Sequence, residues 1–309
     1  MEAAPFRIAV VGTGAVGSFY GGKLAAGGRD VHFLVRSGFD KIKRSGIPIR
    51  GKKENFHVAG AQVYRTAREI GPCDLVLIAL KATQNDALLE LIPPLLHRDT
   101  ILLTLQNGLG NEEFLAQHFG AERVMGGLCF ICLNRIAPGL IEHLDHGHLI
   151  LGELAGVANE RRHNLAREFR HSGVECQVVD NLMEERWHKL VWNIPFNGLT
   201  VTASGVTTED ILRDDSLRSA TLSLMDEVIE GAKACGYNLP RDVVLEQIKR
   251  TETMGAYKPS TLLDLEAGRA LEVEAIWGEP LRRAQAQGVV MPRLEQLYTR
   301  LKSLDARRG

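Results

Sequence analysis

A glycine-rich segment close to the amino terminus restricts the folds open to this chain more than any other feature. It follows a short apolar run over residues 6–11, precedes a helix-like segment over residues 15–27, and reads Gly12, Thr13, Gly14, Ala15, Val16 and Gly17. In a strand–turn–helix unit the first glycine of G-x-G-x-x-G permits the tight turn, the second lets the backbone approach a pyrophosphate, and the third lets helix and strand pack closely. The segment therefore predicts a dinucleotide-phosphate site, and a structural turn without a ligand is the alternative.

The rest of the first half alternates strand-like and helix-like segments, whereas the second half contains mainly helical patterns. We expect strands over residues 6–11, 31–35, 74–80, 101–105 and 174–179, helices over 15–27, 83–92 and 157–171, and an antiparallel pair over 123–133 and 140–151. Further helices are expected over 182–202, 215–235, 240–253, 272–287 and 291–303. This order predicts an α/β fold with an N-terminal Rossmann-type doubly wound sheet in residues 1–181 and an all-α C-terminal domain in residues 182–309. The first would bind a dinucleotide and the second a substrate.

Charge and composition exclude several classes of protein. The formal net charge of −1 gives no broad electrostatic footprint for nucleic acid or an anionic membrane. No run of about 18 apolar residues is present, and the amino terminus lacks a secretory pattern, so we expect no membrane segment. Five cysteines, an odd number, favour reduced thiols and a cytoplasmic protein. Cys129 and Cys132 form a C-x-x-C pair in an apolar run, which favours core residues over a redox or zinc role.

The residue after the second predicted strand indicates which dinucleotide the site takes. NAD enzymes usually carry an acidic residue there to bind the ribose 2′-hydroxyl. This chain carries Arg36 and Ser37, followed by Lys41, Lys43 and Arg44. A guanidinium suits a 2′-phosphate, so the sequence predicts NADP(H), with a solvated surface arginine as the alternative.

Three polar residues lie at helical spacing at the start of the second half. Lys189, Asn193 and Asn197 are spaced i, i+4 and i+8, so they form one stripe on a helix, and apolar residues surround them. Polar groups in such surroundings need partners or a function. A lysine and two amides along one wall would bind an oxo acid and give it a proton. An amphipathic helix with its solvated face here is the alternative.

With these motifs in view, the chain resembles the ketopantoate reductase (2-dehydropantoate 2-reductase) family along essentially its whole length. The resemblance is carried by five pieces in order, namely the glycine motif with Arg36, the run 81–84 after the third strand, the run 106–108, the Lys189 stripe, and the runs 259–260 and 271–278. Each piece is modest alone, but five in the same order across two domains are specific. The resemblance implies an NADP-dependent oxidoreductase that reduces 2-dehydropantoate to pantoate.

The resemblance also implies a role for each matching residue. Lys189 would be the general acid that protonates the developing alkoxide, and Glu272 would contact the substrate hydroxyl. Asn193, Asn197 and Ser260 match substrate-binding positions, whereas Lys81 and Asn107 match positions on the cofactor side. Simpler readings exist for three of them: an exposed helix carboxylate for Glu272, a helix N-cap for Ser260 and a turn former for Asn107.

The context of the two asparagines departs from the usual family pattern. The run 192–198, which contains Trp192, Pro195 and Gly198, differs from the more usual run of small and aliphatic residues, so a reductase of a different 2-oxo acid is the second hypothesis. An NADPH-sensing regulator without turnover is the third, although it would not need Lys189 and Glu272 together. The apolar helical faces of the second half suit either an internal core or a homodimer interface.

A histidine cluster raises the question of a metal. His143, His146 and His148 lie across a predicted strand–turn–strand, without a supporting glutamate or cysteine group. Hydride transfer with a lysine acid needs no metal. We therefore expect ordinary hairpin histidines and no metal site.

Overall fold

The computed structural model describes residues 6–51, 54–154, 160–240 and 242–307. The chain divides into two compact units, one of residues Met1–Gln106 and Asn111–Leu182, the other of Asn107–Gly110 and Met183–Gly309. The sequence-based division at residue 181 lies one residue before this point, but it leaves out the short loop 107–110, which belongs to the second unit by its contacts.

The first unit has a ten-stranded sheet with helices between the strands. Its strands are β1 (Arg7–Val11), β2 (Asp30–Leu34), β3 (Ile47–Gly51), β4 (Phe56–Val58), β5 (Gln62–Tyr64), β6 (Leu75–Ile78), β7 (Ile101–Thr104), β8 (Val124–Ala137), β9 (Leu140–Glu153) and β10 (Cys176–Val178). Its helices are α1 (Ala15–Ala26), α2 (Phe39–Ser45), α3 (Ala67–Ile70), α4 (Leu88–Leu91), α5 (Asn111–Phe119) and α6 (Glu160–His171).

The sheet is mixed, and its parallel core is the dinucleotide-binding part. Strands β5, β2, β1, β6, β7 and β8 run parallel in that order, so the carboxyl ends of β1, β2, β6 and β7 share one edge. Strands β8 and β9 form the predicted antiparallel pair, and β9 continues to β3 and β4. Strands β6 and β7 are buried along their whole length, as expected of central parallel strands.

Helix α1 lies in the curve of this sheet. It contacts β1, β2 and β6 on one side and β3, β4, β8 and β9 on the other, and residues 17–24 of α1 are all buried. Small residues along α1 permit this close packing: a Cβ on Gly21 would lie 2.6 Å from the Val10 side chain. The predicted fold class is confirmed, with the sheet wrapped further around the helix than a flat doubly wound sheet.

Two sequence-based assignments in the first unit are wrong. The helix expected over 83–92 is a 3₁₀ segment, Ala82–Ala87, followed by the four-residue α4. Gln84 has non-helical angles, and the Asn85 side chain is engaged by Gln106 and Asn111, which holds the chain out of an α-helix. The strands β3, β4 and β5 were not expected, because they are short and carry a proline or several polar residues.

The second unit is helical around a separate core. Its helices are α7 (Leu182–Thr202, whose first residue belongs to the first unit), α8 (Thr208–Arg213), α9 (Asp215–Ala234), α10 (Val243–Glu252), α11 (Ser260–Glu266), α12 (Glu279–Ala286) and α13 (Pro292–Ala306). Trp187 and Trp277 are fully buried in its core. The helix expected over 272–287 is wrong at its start, because Glu274–Gly278 form a π-turn that leads into α12. The short helices α8 and α11 were not expected.

Candidate active site

The glycine loop joins β1 to α1 in the conformation that its glycines permit. Gly12 has φ +103°, and a Cβ there would lie 2.5 Å from the Leu80 amide nitrogen. A Cβ on Gly17 would overlap the Gly12 carbonyl oxygen. Around Gly14, by contrast, an added Cβ would meet nothing within 4 Å. The first and third glycines therefore serve the fold, and the second leaves open space beside the backbone.

The loop is held so that the start of α1 remains available to an anion. Thr13 Oγ1 donates to the Leu34 carbonyl over 2.8 Å, which fastens the loop to the end of β2. Gly14 is the N-cap residue of α1 and makes no side-chain capping bond. The first N–H groups of a helix, here in the turn that begins with Ala15 and Val16, have no intrahelical acceptors and carry the positive end of the helix dipole. These residues fit the phosphates of a dinucleotide.

The other predicted cofactor residues of the first unit follow neighbouring parallel strands. Arg36 and Ser37 come after β2 and are exposed, and Lys81 comes after β6 at the start of the 3₁₀ segment. Since β1, β2 and β6 are parallel neighbours, these positions share one edge of the sheet with the glycine loop. That edge is where open α/β sheets bind their ligands.

A polar chain that the sequence did not reveal extends from the end of β7. Thr104 Oγ1 donates to Gln106 Oε1 over 2.9 Å, Gln106 Nε2 donates to Asn85 Oδ1 over 2.7 Å, and Asn85 Nδ2 donates to Asn111 Oδ1 over 3.0 Å. Thr104, Gln106 and Asn111 are buried. These bonds fix both ends of the loop 107–110. The only signal in the sequence is a set of amides in apolar surroundings.

In the second unit, α7 presents the predicted polar stripe inside the protein. Asn193 is 7% exposed and Asn197 is 3% exposed, while Lys189 is half-buried. The solvated-face alternative for this stripe is therefore wrong. The Lys189 ammonium donates to Asn107 Oδ1 over 2.9 Å. Asn107, predicted on the cofactor side, is thus a partner of Lys189 and more than a turn former.

The far end of the stripe is tied to α11. Asn197 Oδ1 accepts from the Thr261 backbone N–H over 3.2 Å and lies 3.5 Å from Ser260 Oγ. Ser260 is the first helical residue of α11, whose N-cap is Pro259, so the N-cap alternative for Ser260 is wrong. In the part of the chain that the structure describes, the Asn193 amide makes no hydrogen bond. A buried amide without a protein partner is a group that a ligand can satisfy.

The last predicted residue of the set lies close to the start of the π-turn. Glu272 is two residues before Glu274, where the turn begins, and it is 5% exposed, so the exposed-carboxylate alternative is wrong. The Ala275 carbonyl accepts from the Leu109 N–H over 2.9 Å, and Trp277 Nε1 donates to the Ile194 carbonyl over 3.0 Å. The turn is therefore bonded both to the loop that carries Asn107 and to α7. Single-turn π-bulges occur frequently at functional sites.

The three residues that depart from the family pattern, Trp192, Pro195 and Gly198, pack in the core of the second unit. Trp192 Nε1 donates to Thr251 Oγ1 over 2.9 Å, and its ring stacks on Phe196 with centroids 5.1 Å apart. A Cβ on Gly198 would lie 2.6 Å from the Leu297 side chain. Pro195 lies inside α7 and is buried. These residues shape helix packing.

The cysteine and histidine motifs have structural environments. Cys129 and Cys132 are buried free thiols in β8, which confirms the core interpretation. His143 Nε2 lies 2.8 Å from the His146 carbonyl, and the His148 ring stacks on Phe130. Within the described ranges, no three His, Cys, Asp or Glu side chains form a group suited to a metal ion. Nor is any described helix both long and apolar enough to cross a bilayer.

Several known proteins are similar to this chain over nearly its whole length. A family model described as ketopantoate reductase PanE/ApbA matches residues 8–156, and the model of its C-terminal part matches residues 181–305. A relative from Nostoc sp. named 2-dehydropantoate 2-reductase is 40% identical over 97% of this chain and 96% of its own. The crystal structure of 2-dehydropantoate 2-reductase from Geobacter metallireducens is 45% identical, with a TM-score of 0.94 over 96% of this chain and 99% of its own. That from Methylococcus capsulatus is 35% identical, with a TM-score of 0.89 over 98% of each chain. The chain therefore belongs to the ketopantoate reductase family and is an oxidoreductase.

Proposed function

We propose that this chain reduces 2-dehydropantoate to (R)-pantoate with NADPH, a step of pantothenate and coenzyme A biosynthesis. The observation that carries the proposal is the buried stripe on α7, where Lys189 is held by Asn107 and is followed by two inward-facing amides. The choice of 2-dehydropantoate as the substrate is supported by the similar proteins that are named 2-dehydropantoate 2-reductase.

The family and the glycine loop support a nicotinamide dinucleotide as cofactor. The α1 start and the loop from Gly12 to Gly17 would hold its phosphates, Lys81 would lie on its ribose side, and Arg36 would bind the 2′-phosphate of NADPH. When bound, the nicotinamide supplies the hydride that reduces the keto carbon. An exposed guanidinium at the end of β2 suits a phosphate and gives no acceptor to a 2′-hydroxyl, which supports NADPH over NADH.

Lys189 is the proton donor in this proposal. Reduction of a ketone turns its oxygen into an alkoxide, which takes one proton from an acid in hydrogen-bond reach. An ammonium carries three N–H donors, and the bond to Asn107 orients the group. Asn107 is thus a positioning residue for the ammonium as well as a predicted neighbour of the cofactor.

Asn193, Asn197 and Ser260 bind the substrate. Because Asn197 Oδ1 accepts from the α11 backbone, the side chain is oriented with its Nδ2 donors turned to other acceptors. The Asn193 amide and the Ser260 hydroxyl add further donors for a carboxylate and a keto oxygen. Glu272, a buried acceptor, would bind the hydroxyl that distinguishes 2-dehydropantoate from simple 2-oxo acids.

Two further assignments complete the proposal. All five cysteines are free, and burial raises the pKa of the Cys176 thiol to about 12, which keeps it protonated. These thiols suit the reducing cytoplasm, where we place the reaction. A homodimer stays a prediction that sedimentation would test.

The test is a panel of 2-oxo acids, assayed with NADPH and NADH and ranked by kcat/KM. We expect 2-dehydropantoate with NADPH to rank first. A clear preference for another acid would contradict the substrate, although the core contacts of Trp192 remove the reason to expect one. A preference for NADH would contradict the proposed use of NADPH. Tight NADPH binding without turnover of any acid would favour an NADPH-sensing regulator instead.

A further inference from the structure

The geometry points to Arg135 as a second cationic residue for the 2′-phosphate of NADPH, acting together with Ser37. Arg135 lies near the end of β8, 98 residues beyond Ser37 in the sequence, and its Nη2 donates to Ser37 Oγ over 3.0 Å. This inference rests on the proposed use of NADPH. It adds a specificity residue that no feature of the glycine motif or of the β2 end indicates.

The tip of the β8–β9 hairpin packs directly on the loop that follows β2. Gly38 has φ +77°, and a Cβ there would overlap the Pro138 ring. A Cβ on Gly139 would lie 2.7 Å from Ile42 Cγ1 of α2. At both glycines the backbone lies directly against a side chain of the other segment, so the hairpin tip and the loop that carries Arg36 and Ser37 are packed together.

The strand register turns Arg135 toward that loop. The β8–β9 pairing shifts between Arg135 and Ala137, directly before the Pro138–Gly139 turn. Such irregularities bend a strand and redirect a side chain. Arg135 is exposed, so its guanidinium can meet both Ser37 and a soluble ligand.

The contact between Arg135 and Ser37 leaves the pair competent to bind an anion. Ser37 Oγ accepts from Arg135, so the hydroxyl proton is available for donation to a phosphate oxygen. A guanidinium has five N–H donors in a planar fork, so one arginine can contact Ser37 and a phosphate oxygen at the same time. Arg36, the neighbouring residue, would bring the second guanidinium.

Other cations near the β2 end contact different groups. Arg65 lies 4.0 Å from the Phe39 ring centroid and pairs with Asp40 over 3.2 Å. Lys43 lies 5.7 Å from the same ring, and Arg44 Nε donates to the Asp40 carbonyl over 3.2 Å. Two of these four contacts lie within α2, and the two from Arg65 connect α2 to the segment after β5. Arg135, in contrast, donates to Ser37 of the segment that follows β2.

The test measures dinucleotide binding by calorimetry, without turnover, for the wild type, Arg36→Ala, Ser37→Ala and Arg135→Ala. We expect Arg135→Ala to raise the Kd for NADPH about tenfold, or about 1.4 kcal/mol, and to leave the Kd for NADH within about twofold. Ser37→Ala should have a smaller effect in the same direction. Added salt should weaken NADPH binding less in Arg135→Ala than in the wild type, because one charge–charge interaction is missing.

Arg98→Ala is the matched control. It removes an exposed arginine before β7, at the opposite edge of the sheet, and should leave both Kd values unchanged. Arg135→Lys keeps the charge without the fork, so it should fall between the wild type and Arg135→Ala, and it replaces Arg135→Ala if that variant does not fold.

The outcomes separate this inference from the proposed function. If Arg36→Ala loses the preference for NADPH while Arg135→Ala and Arg135→Lys keep it, the role of Arg135 is overturned and the NADPH proposal stands. If the wild type binds NADH as tightly as NADPH, the cofactor proposal fails and the role of Arg135 fails with it. Equal loss of NADPH and NADH binding in Arg135→Ala would indicate a structural role and also overturn the inference.

Discussion

The two units prepare their ligand sites by different physical means. In the first, the glycine loop offers backbone N–H groups at the start of α1, and the loop conformation depends on the absence of side chains at its glycines. In the second, side chains from α7, α11, the loop 107–110 and the π-turn are brought together by hydrogen bonds. A backbone site is contiguous in sequence and tolerates little added volume, whereas a side-chain site is dispersed and depends on single functional groups.

The largest expected effect is therefore the loss of one functional group in the second unit. Lys189→Ala removes the proposed proton donor and should lower kcat about 10³-fold, within the range typical of general acid catalysis. The Kd for NADPH should stay within about twofold of the wild type, because the proposed phosphate contacts lie in the first unit. Steady-state kinetics and calorimetry measure the two quantities.

Lys249→Ala is the control for this variant. It removes an exposed lysine from α10 in the same unit and should leave kcat unchanged. Near wild-type turnover in Lys189→Ala would refute the assigned proton donor.

The loop 107–110 tests how rigidly the side-chain site is built. Gly108 has φ +85°, and a Cβ would overlap the Ala275 carbonyl oxygen, which accepts from Leu109. Gly108→Ala should lower the free energy of unfolding by about 3 kcal/mol, because overpacking adds to the cost of a left-handed backbone. Displacement of Asn107 should also lower kcat.

Gly236→Ala is a matched comparison in the same unit. Its φ is +90°, but a Cβ would meet nothing within 4 Å, so only the left-handed backbone costs energy, about 1–2 kcal/mol. Urea unfolding of both variants gives the difference. Equal destabilisation, with kcat unchanged in both, would show that the loop does not position Asn107.

The backbone site of the first unit makes the complementary prediction. Gly14→Ala should leave the free energy of unfolding within about 0.5 kcal/mol of the wild type, since its Cβ would enter open space. It should nevertheless raise the Kd for NADPH about tenfold, because the methyl group occupies the approach of the phosphate. Thermal unfolding and calorimetry measure both.

Gly17→Ala, unlike Gly14→Ala, should lower the free energy of unfolding. Its Cβ would overlap the Gly12 carbonyl, which should cost about 1–3 kcal/mol of stability despite the better helix propensity of alanine. If Gly14→Ala bound NADPH normally, the open space beside Gly14 would not be the phosphate site.

The same contrast explains how much could be predicted from the sequence. The glycine loop and the parallel strands were predictable because their signals lie within a few residues and reflect local backbone demands. The stripe on α7 was predictable because helical spacing is local as well. The resemblance supplied Glu272 and Ser260.

Contacts between distant segments were not predictable. The bond from Lys189 to Asn107 spans 82 residues, and the overlap that fixes Gly108 involves Ala275, far along the chain. The π-turn also escaped prediction, because its residues have the same apolar spacing as an α-helix. Such features follow from tertiary packing, and periodicity in one segment carries no information about the segment against which it packs.

The smallest expected effect concerns the ionic support of the π-turn. Burial raises the pKa of the Glu274 carboxyl, but hydrogen bonds from Arg282, Tyr298 and Lys302 outweigh it and lower the pKa below its usual value of 4.5. A lowered folded-state pKa contributes stability above the unfolded-state value and loses it as the pH falls through the folded-state value. The Glu274 and Arg282 side chains are about half exposed, so water screens the gain.

Glu274→Gln should accordingly lower the free energy of unfolding at pH 7 by about 0.5 kcal/mol. At pH 3 the difference from the wild type should shrink, because protonation of the wild-type carboxyl begins to remove its charge as the pH falls toward its folded-state pKa. Urea unfolding at the two pH values measures the difference, with Glu246→Gln, at an exposed position of α10, as the control. If the difference in the free energy of unfolding persisted unchanged at pH 3, the π-turn would be stabilised by packing around Trp277 rather than by charge. The second unit would then depend on close packing, as the glycine loop of the first unit does.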